Sequence, residues 1–316
     1  FLAGELVTLC QFYLFVGALV GLGVSFNGMV PGSALLVRWY RARLSTAIGI
    51  AFSAVGVGTI VFVPLAQYLV AQHDWRVAYR TLGALLLVLL PLVLFAVPWK
   101  AFAAGDPLLR ADMKQKISGE GWTLRSALRT PVYRGLTQLF FCTATAMFSI
   151  VVQLVAFFVD AGFSPLAAAT AYGVVGMLSA ASIMGSGFLS ERFGYRQIVT
   201  ASFLGTASGM VVLLCMTKFS SWILLIAFVP LFGLCMGVRG PIVASVSARH
   251  FAGPNVATIY GTIYSTNALG AAFGSWMGGL LHDLTGGYRA GLGLALAFIA
   301  LAAAPFWTVS GLRNFR

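Results

Sequence analysis

Arg239 is the sharpest chemical signal in the sequence. It follows an apolar stretch, residues 219–238, and stands ten residues before Arg249. At about 1.5 Å of helical rise per residue the two are about 15 Å apart, half of a ~30 Å hydrocarbon core. An arginine at that depth costs about 2.5–3.5 kcal/mol to insert, so it should face a cavity or a partner rather than lipid. A lone fixed cation suits a small carboxylate, which a guanidinium can grip through two parallel hydrogen bonds. The alternatives are pairing with an acid elsewhere, or packing with the charge drawn toward the inner surface. Tyr260, Tyr264 and Asn267 follow an i, i+4, i+7 spacing and share one helix face. They can flank a substrate; core packing is the competing explanation. Gln138, Thr143, Ser149 and Gln153 add polar points to another apolar run.

Other chemistries find no support. Cys10, Cys142, Cys215 and Cys235 lie singly in apolar runs, and His73, His250 and His282 sit at run ends. Neither set has metal-ligand spacing, and no disulfide framework is indicated. There is no nucleophile–base pairing and no phosphate-binding glycine loop. The sequence therefore predicts neither an enzyme nor a metal or other cofactor, and any work it performs must draw on a solute or ion gradient.

The elements that position these residues follow from composition. Of 316 residues, 59% are hydrophobic and 9% charged, against about 25% charged in an ordinary soluble domain. So few charges cannot clothe a water-exposed surface. Most of the surface must meet a lipid bilayer. The net charge of +12 does not indicate nucleic acid, because the basic residues are scattered in short loops and form no basic face.

A spanning helix needs about 20 apolar residues. Stretches without Asp, Glu, Lys or Arg cover 6–37, 44–73, 81–99, 135–159, 161–190, 197–217, 219–238, 250–282 and 290–312, nine in all. They do not alternate as barrel strands do, which predicts an all-α integral membrane protein with nine transmembrane helices. The loops on one side carry fifteen Lys and Arg, and those on the other carry four. This excess marks the inner side and puts the first residues outside and the last inside. Arg outnumbers Lys 16 to 4, a bias that points to a GC-rich bacterium and its cytoplasmic membrane.

One loop is long. Residues 98–131 are polar and broken by Asp106-Pro107 and Ser118-Gly119, so they read as an inner linker between an N-terminal bundle, 1–97, and a C-terminal bundle, 132–316. Within and beyond it, Gly121–Arg134 can form an amphipathic helix on the membrane surface or remain a solvated linker. An internal repeat crosses the linker. GLGVSFNGMVPGSALLVRWY from Gly21 matches GLCMGVRGPIVASVSARHFA from Gly233 at an offset of 212. Asn27 pairs with Arg239 and should lie at similar depth, lining the same cavity or bonding a neighbouring helix. Two related bundles are a feature of secondary transporters. The C-terminal bundle holds six of the runs and the N-terminal one three, and the chain opens on Phe1 with no signal-peptide layout. A fragment lacking its first three helices is expected.

The sequence GFLSERFGYRQ, Gly187–Gln197, resembles the loop signature G-x-L-x-D-R-x-G-R-R of the major facilitator superfamily. Gly187, Leu189, Arg192, Gly194 and Arg196 fit it, with Glu191 in place of the usual Asp. RWYRARLSTAIGIAFSAVGVG (Arg38–Gly58) and WRVAYRTLG (Trp75–Gly83) resemble the monocarboxylate and oxalate/formate branch. The resemblance implies the two-bundle major facilitator fold, with the nine runs as helices 4–12 of twelve. It also implies alternating access, with Gly187, Glu191, Arg192, Gly194 and Arg196 as an inner latch. The crowded small residues Gly49, Ser53, Ala54, Gly56 and Gly58, and the series Gly270, Gly274 and Gly278, should then face the opposite bundle where closure occurs. The expected function is secondary transport of a small organic anion such as a monocarboxylate, with a co-transported proton as a further partner. Export of drug-like or neutral compounds is the alternative within transport. A non-transporting receptor or scaffold is the alternative outside it. Residues 161–190 are uncharged, so the family's acid–Arg pair in that helix has no counterpart here.

Overall fold

The computed structural model describes residues 5, 8–26, 28–40, 44–105, 122–253 and 255–313. Asn27 and residues 106–121, nearly half of the expected linker, lie outside the described residues. The described regular structure is helical. The first apolar run is helical in pieces, Leu9–Phe12, Tyr13–Val20 and Gly21–Phe26, and then α1 (Met29–Val37). After it come α2 (Leu44–Gln72), α3 (Trp75–Ala96), α4 (Pro131–Val151), α5 (Pro165–Phe193), α6 (Tyr195–Met216), α7 (Trp222–Met236), α8 (Arg239–His250), α9 (Val256–Thr285) and α10 (Arg289–Ala303).

All nine runs are thus helical, and seven helices among the described residues are long and apolar enough to cross a bilayer. The protein is an integral membrane protein with several spans. The two exceptions have different causes. The first run is interrupted, and α9, at 30 residues, is long enough but diluted by Thr, Tyr, Asn, Gly and His. The seventh run extends further than its charge-free stretch, because α7 and α8 together make one span, Trp222–His250. That span carries Arg239 inside the membrane.

Helix starts are written locally. Asp74 accepts from the Trp75 N–H at the head of α3. Thr130-Pro131 and Ser164-Pro165 open α4 and α5, the hydroxyls accepting from Tyr133 and Ala167 N–H groups. Such residues satisfy first-turn donors, and proline at the first position lacks a donor that would go unused. Gly194 turns the chain between α5 and α6 at φ +86°, a conformation that a side chain would strain. Outward-facing side chains such as Phe95, Ile223 and Ile226 stand largely exposed, as lipid contact requires. The linker helix is shorter than expected. Among the described residues of 121–134, Leu124–Leu128 forms a short helix capped by Thr123 and Ser126, and residues from Pro131 onward already belong to α4; Trp99–Ala104 is a second short helix of the linker.

Helix packing depends on glycine. In α9 a Cβ added at Gly270, Gly274 or Gly278 would come closer than 3.0 Å to the carbonyl oxygens of Phe141, Thr145 and Ser149 in α4. Thr145 Oγ1 donates to Gly270 O and Thr266 Oγ1 to Thr137 O, each at 3.2 Å. The glycine series therefore seals α9 against α4, its neighbour among the later helices. This corrects the expectation that it faces the N-terminal bundle. Of the α2 glycines, Gly49 and Gly56 do face across, whereas an added Cβ at Gly58 would meet only Phe62 of α2 itself. A Cβ at Gly49 would lie 2.8 Å from Ile183 O in α5, Gly56 abuts Gly176 and Ala180, and Gly176 in turn abuts Thr59. At the outer end Tyr288 donates to Asp160 Oδ2 at 2.6 Å, and partial burial together with that bond pushes its phenol up to about 12. It therefore stays a donor at any physiological pH. Gly274 and Gly279 give the test of this packing. Gly274→Ala should destabilise the protein by about 1–3 kcal/mol, the usual cost of overpacking. Gly279→Ala, whose Cβ meets nothing nearer than 4.0 Å, should leave the melting temperature in detergent unchanged.

Candidate functional site

The site is built on an interrupted helix. Helical residues end at Met236 and resume at Arg239. The sequence there is Gly237-Val238-Arg239-Gly240-Pro241. Pro241 has no N–H to return to the Gly237 carbonyl four residues earlier, so the ladder cannot run through. Gly237 also sits directly on α5, where a Cβ would meet Ser179 and Ile183. The α8 helix begins without a side-chain cap. The repeat partner is interrupted too: Gly28 is extended, and helical residues resume at Met29, with Pro31 in the first turn. Asn27, the expected counterpart of Arg239, lies outside the described residues.

Arg239 is 2% exposed. Its Nε donates to Ser202 Oγ at 2.9 Å, and Nη2 donates to Thr206 Oγ1 and to Cys235 O, the latter at 3.4 Å. The guanidinium carbon lies 4.6 Å from the centre of the Phe203 ring. Nη1 is buried with no acceptor among the described residues. Arg239 therefore does not snorkel, and among the described residues it meets no acid. Its insertion cost of about 2.5–3.5 kcal/mol is matched by two hydrogen bonds to a charged donor, each about 1.5–3 kcal/mol, and by about 1–2 kcal/mol of cation–π attraction.

The other residues singled out from sequence are held elsewhere. Tyr260 is buried, and its hydroxyl has no partner among the described residues. Tyr264 is half-buried and packs edge-on against Phe140 of α4, 5.8 Å between ring centres. Asn267 is half-buried on the same helix. Tyr264 thus belongs to the α9–α4 contact, with the Tyr260 ring 6.1 Å from its own, whereas every partner found for Arg239 lies on α6 or α7. Of the α4 polar residues, Gln138 donates to Leu301 O and Ser149 to Ala146 O. Thr143 Oγ1 is buried and unpartnered among the described residues. Ser202, Phe203 and Thr206 were not singled out from the sequence. Their only signal is a polar pair at i, i+4 within an apolar run.

Between α5 and α6 the signature loop turns at Gly194. Arg196 lies over the Trp307 ring, 3.7 Å from its centre, and Arg192 over Phe193 at 5.4 Å. Gly187 is buried in the last turns of α5. The Glu191 side chain lies outside the described residues. Arg196 thus ties the loop to Pro305–Thr308 after α10, and among the described residues it makes no ion pair.

A family model, the Major Facilitator Superfamily, matches residues 1–189 and 179–313. The chain belongs to the Major Facilitator Superfamily. Among its superfamily relatives, monocarboxylate transporter 13 of Bos taurus is 28% identical over 298 residues, covering 94% of this chain and 67% of that protein. Monocarboxylate transporter 12 of Rattus norvegicus is 24% identical over 325 residues, 93% of this chain and 66% of the relative. Monocarboxylate transporter 11 of Mus musculus is 25% identical over 303 residues, 92% and 65%. The chain spans about two thirds of the length of these relatives. The superfamily assignment agrees with the signature loop and makes the chain part of a transporter, not an enzyme. For the loop itself, Trp307→Leu should lower stability by about 0.5–2 kcal/mol by removing the ring beneath Arg196, read as a fall in melting temperature in detergent.

Proposed function

We propose that the protein is a secondary transporter that moves a small organic anion, such as a monocarboxylate, by alternating access. Arg239 is its anion-anchoring residue. The observation that carries this is a fully buried guanidinium in mid-span with one nitrogen, Nη1, free of any acceptor among the described residues. Arg239 stands at the head of α8, where the helix dipole adds positive potential, and half-helix ends of this kind bind anions in transporters. The monocarboxylate transporters among its relatives support the same substrate class. Tyr260, whose hydroxyl is buried and unpartnered, Tyr264, Asn267 and Asn27 line the route on this reading. A co-transported proton balances the charge.

The bundles 1–97 and 132–316, joined by 98–131, rock against each other at the α2–α5 contact. Gly187, Glu191, Arg192, Gly194 and Arg196 form the inner latch. The membrane is, on the Arg-rich composition, a bacterial cytoplasmic membrane, although the relatives named are animal proteins.

The test uses the complete transporter in proteoliposomes. Labelled acetate, pyruvate and lactate should enter, the corresponding amides should not, and an inward proton gradient should accelerate uptake. Arg239→Gln should raise KM by about 30-fold, equivalent to the ~2 kcal/mol of one charge-assisted hydrogen bond. Equal uptake of acids and amides, or an unchanged KM in Arg239→Gln, would overturn the proposal. For the latch, Glu191→Gln should lower turnover more than it weakens substrate binding; matched effects on both count against it.

A further inference from the structure

We infer that Ser202 and Thr206 of α6 fix how Arg239 presents its charge, so that an anion is gripped end-on through Nη1 alone. This deepens the function proposed above and rests on it. A guanidinium carries five N–H donors. Ser202 Oγ takes the one on Nε at 2.9 Å, and Thr206 Oγ1 and Cys235 O are the acceptors for Nη2. Only the two N–H groups of Nη1 remain, and they are buried with no acceptor among the described residues. A two-pronged grip needs two neighbouring nitrogens. With Nε and Nη2 both engaged, the bidentate geometry expected from the sequence is closed.

The two hydroxyls are themselves directed. Ser202 Oγ donates to Cys235 O at 2.6 Å, and Thr206 Oγ1 donates to Ser202 O at 2.9 Å. A hydroxyl has one proton to give, so each can only accept from the guanidinium. These two separate bonds, each to a backbone carbonyl, leave a lone pair on each hydroxyl oxygen for Arg239. The Phe203 ring, 4.6 Å from the guanidinium carbon, covers one face. Ser202 and Thr206 act through Arg239 and are positioning residues.

The experiment measures KM and kcat separately for [14C]pyruvate uptake by the complete transporter in proteoliposomes, with melting temperatures taken in parallel. Thr206→Val keeps the shape and removes the acceptor. It should raise KM by about tenfold or more with kcat within about twofold, because the ligand loses a positioned donor. Thr206→Ser should keep the wild-type KM. Ser202→Ala should behave like Thr206→Val, and Ser202→Thr should restore it; this second pair carries the comparison if Thr206→Val does not fold. An unchanged KM in Thr206→Val and Ser202→Ala, or equal impairment with serine and valine at 206, would overturn the inference. If Arg239→Gln impairs uptake while the hydroxyl variants are silent, only the positioning role falls. If wild type takes up no pyruvate, or Arg239→Gln leaves uptake unchanged, the function itself falls and the positioning role with it.

Discussion

Hydrocarbon offers no hydrogen bonds, so every interruption of a helix within it must be repaired by protein. This constraint governs the region around Arg239. Pro241 and two glycines prevent a continuous ladder from α7 to α8, and the loose backbone needs partners. The Cys235 carbonyl accepts from Ser202 Oγ at 2.6 Å and from Arg239 Nη2 at 3.4 Å. The same side chains that mend the backbone also hold the charge. Removing the interruption would remove the reason for α6 to carry hydroxyls where lipid-adjacent helices carry leucine. Removing the hydroxyls would leave both a carbonyl and a guanidinium short of partners.

Close helix approach is the second constraint, and it divides the molecule into parts of different stiffness. In α9, glycines at 270, 274 and 278 let the backbone touch α4 over two turns, with Thr145 and Thr266 bonding across. A contact between backbones leaves no side-chain rotamers to readjust, so α4 and α9 behave as one unit. The α2–α5 contact is also built on glycines, Gly49 against the Ile183–Met184 backbone and Gly56 against Gly176 and Ala180. It differs in joining the earlier helices to the later ones. On the proposed alternating-access mechanism this is the surface that must slide or part. Small residues serve both purposes because close packing without interlocked side chains can be strong yet still offer a smooth path for relative motion.

Much of the architecture was legible because a membrane simplifies the grammar. The charge-free runs each reflect one local physical demand, and they proved helical. Gly194 could be read as a turn, and Arg239 as a deep charge, for the same reason. What could not be read was direction around a helix axis. The spacing of Gly270, Gly274 and Gly278 fixes a stripe but not the neighbour that fills it, and the neighbour proved to be α4. Tyr264, on the same helix, likewise meets Phe140 of α4 rather than Arg239. Ser202 and Thr206 were passed over because single hydroxyls in apolar helices are common and usually bond their own backbone. Their significance appears only when α7 is laid beside α6.

The absence of a carboxylate beside Arg239, among the described residues, bears on what such a site can do. An Asp or Glu would satisfy the guanidinium more fully than two hydroxyls, but it would also cancel the charge. Serine and threonine supply geometry without neutralisation. Two bonds of about 1.5–3 kcal/mol each offset an insertion cost of about 2.5–3.5 kcal/mol, so the positive charge is tolerated and yet remains formally unpaired. On the proposed function, an incoming carboxylate would gain the attraction of a charge already stripped of water and already oriented, which is where electrostatic preorganisation is most effective. The same arrangement would limit the grip. With one nitrogen free of acceptors among the described residues, the ligand would be held firmly enough to be selected by charge and weakly enough to leave, and a carrier that must release its cargo on the far side of the membrane needs both.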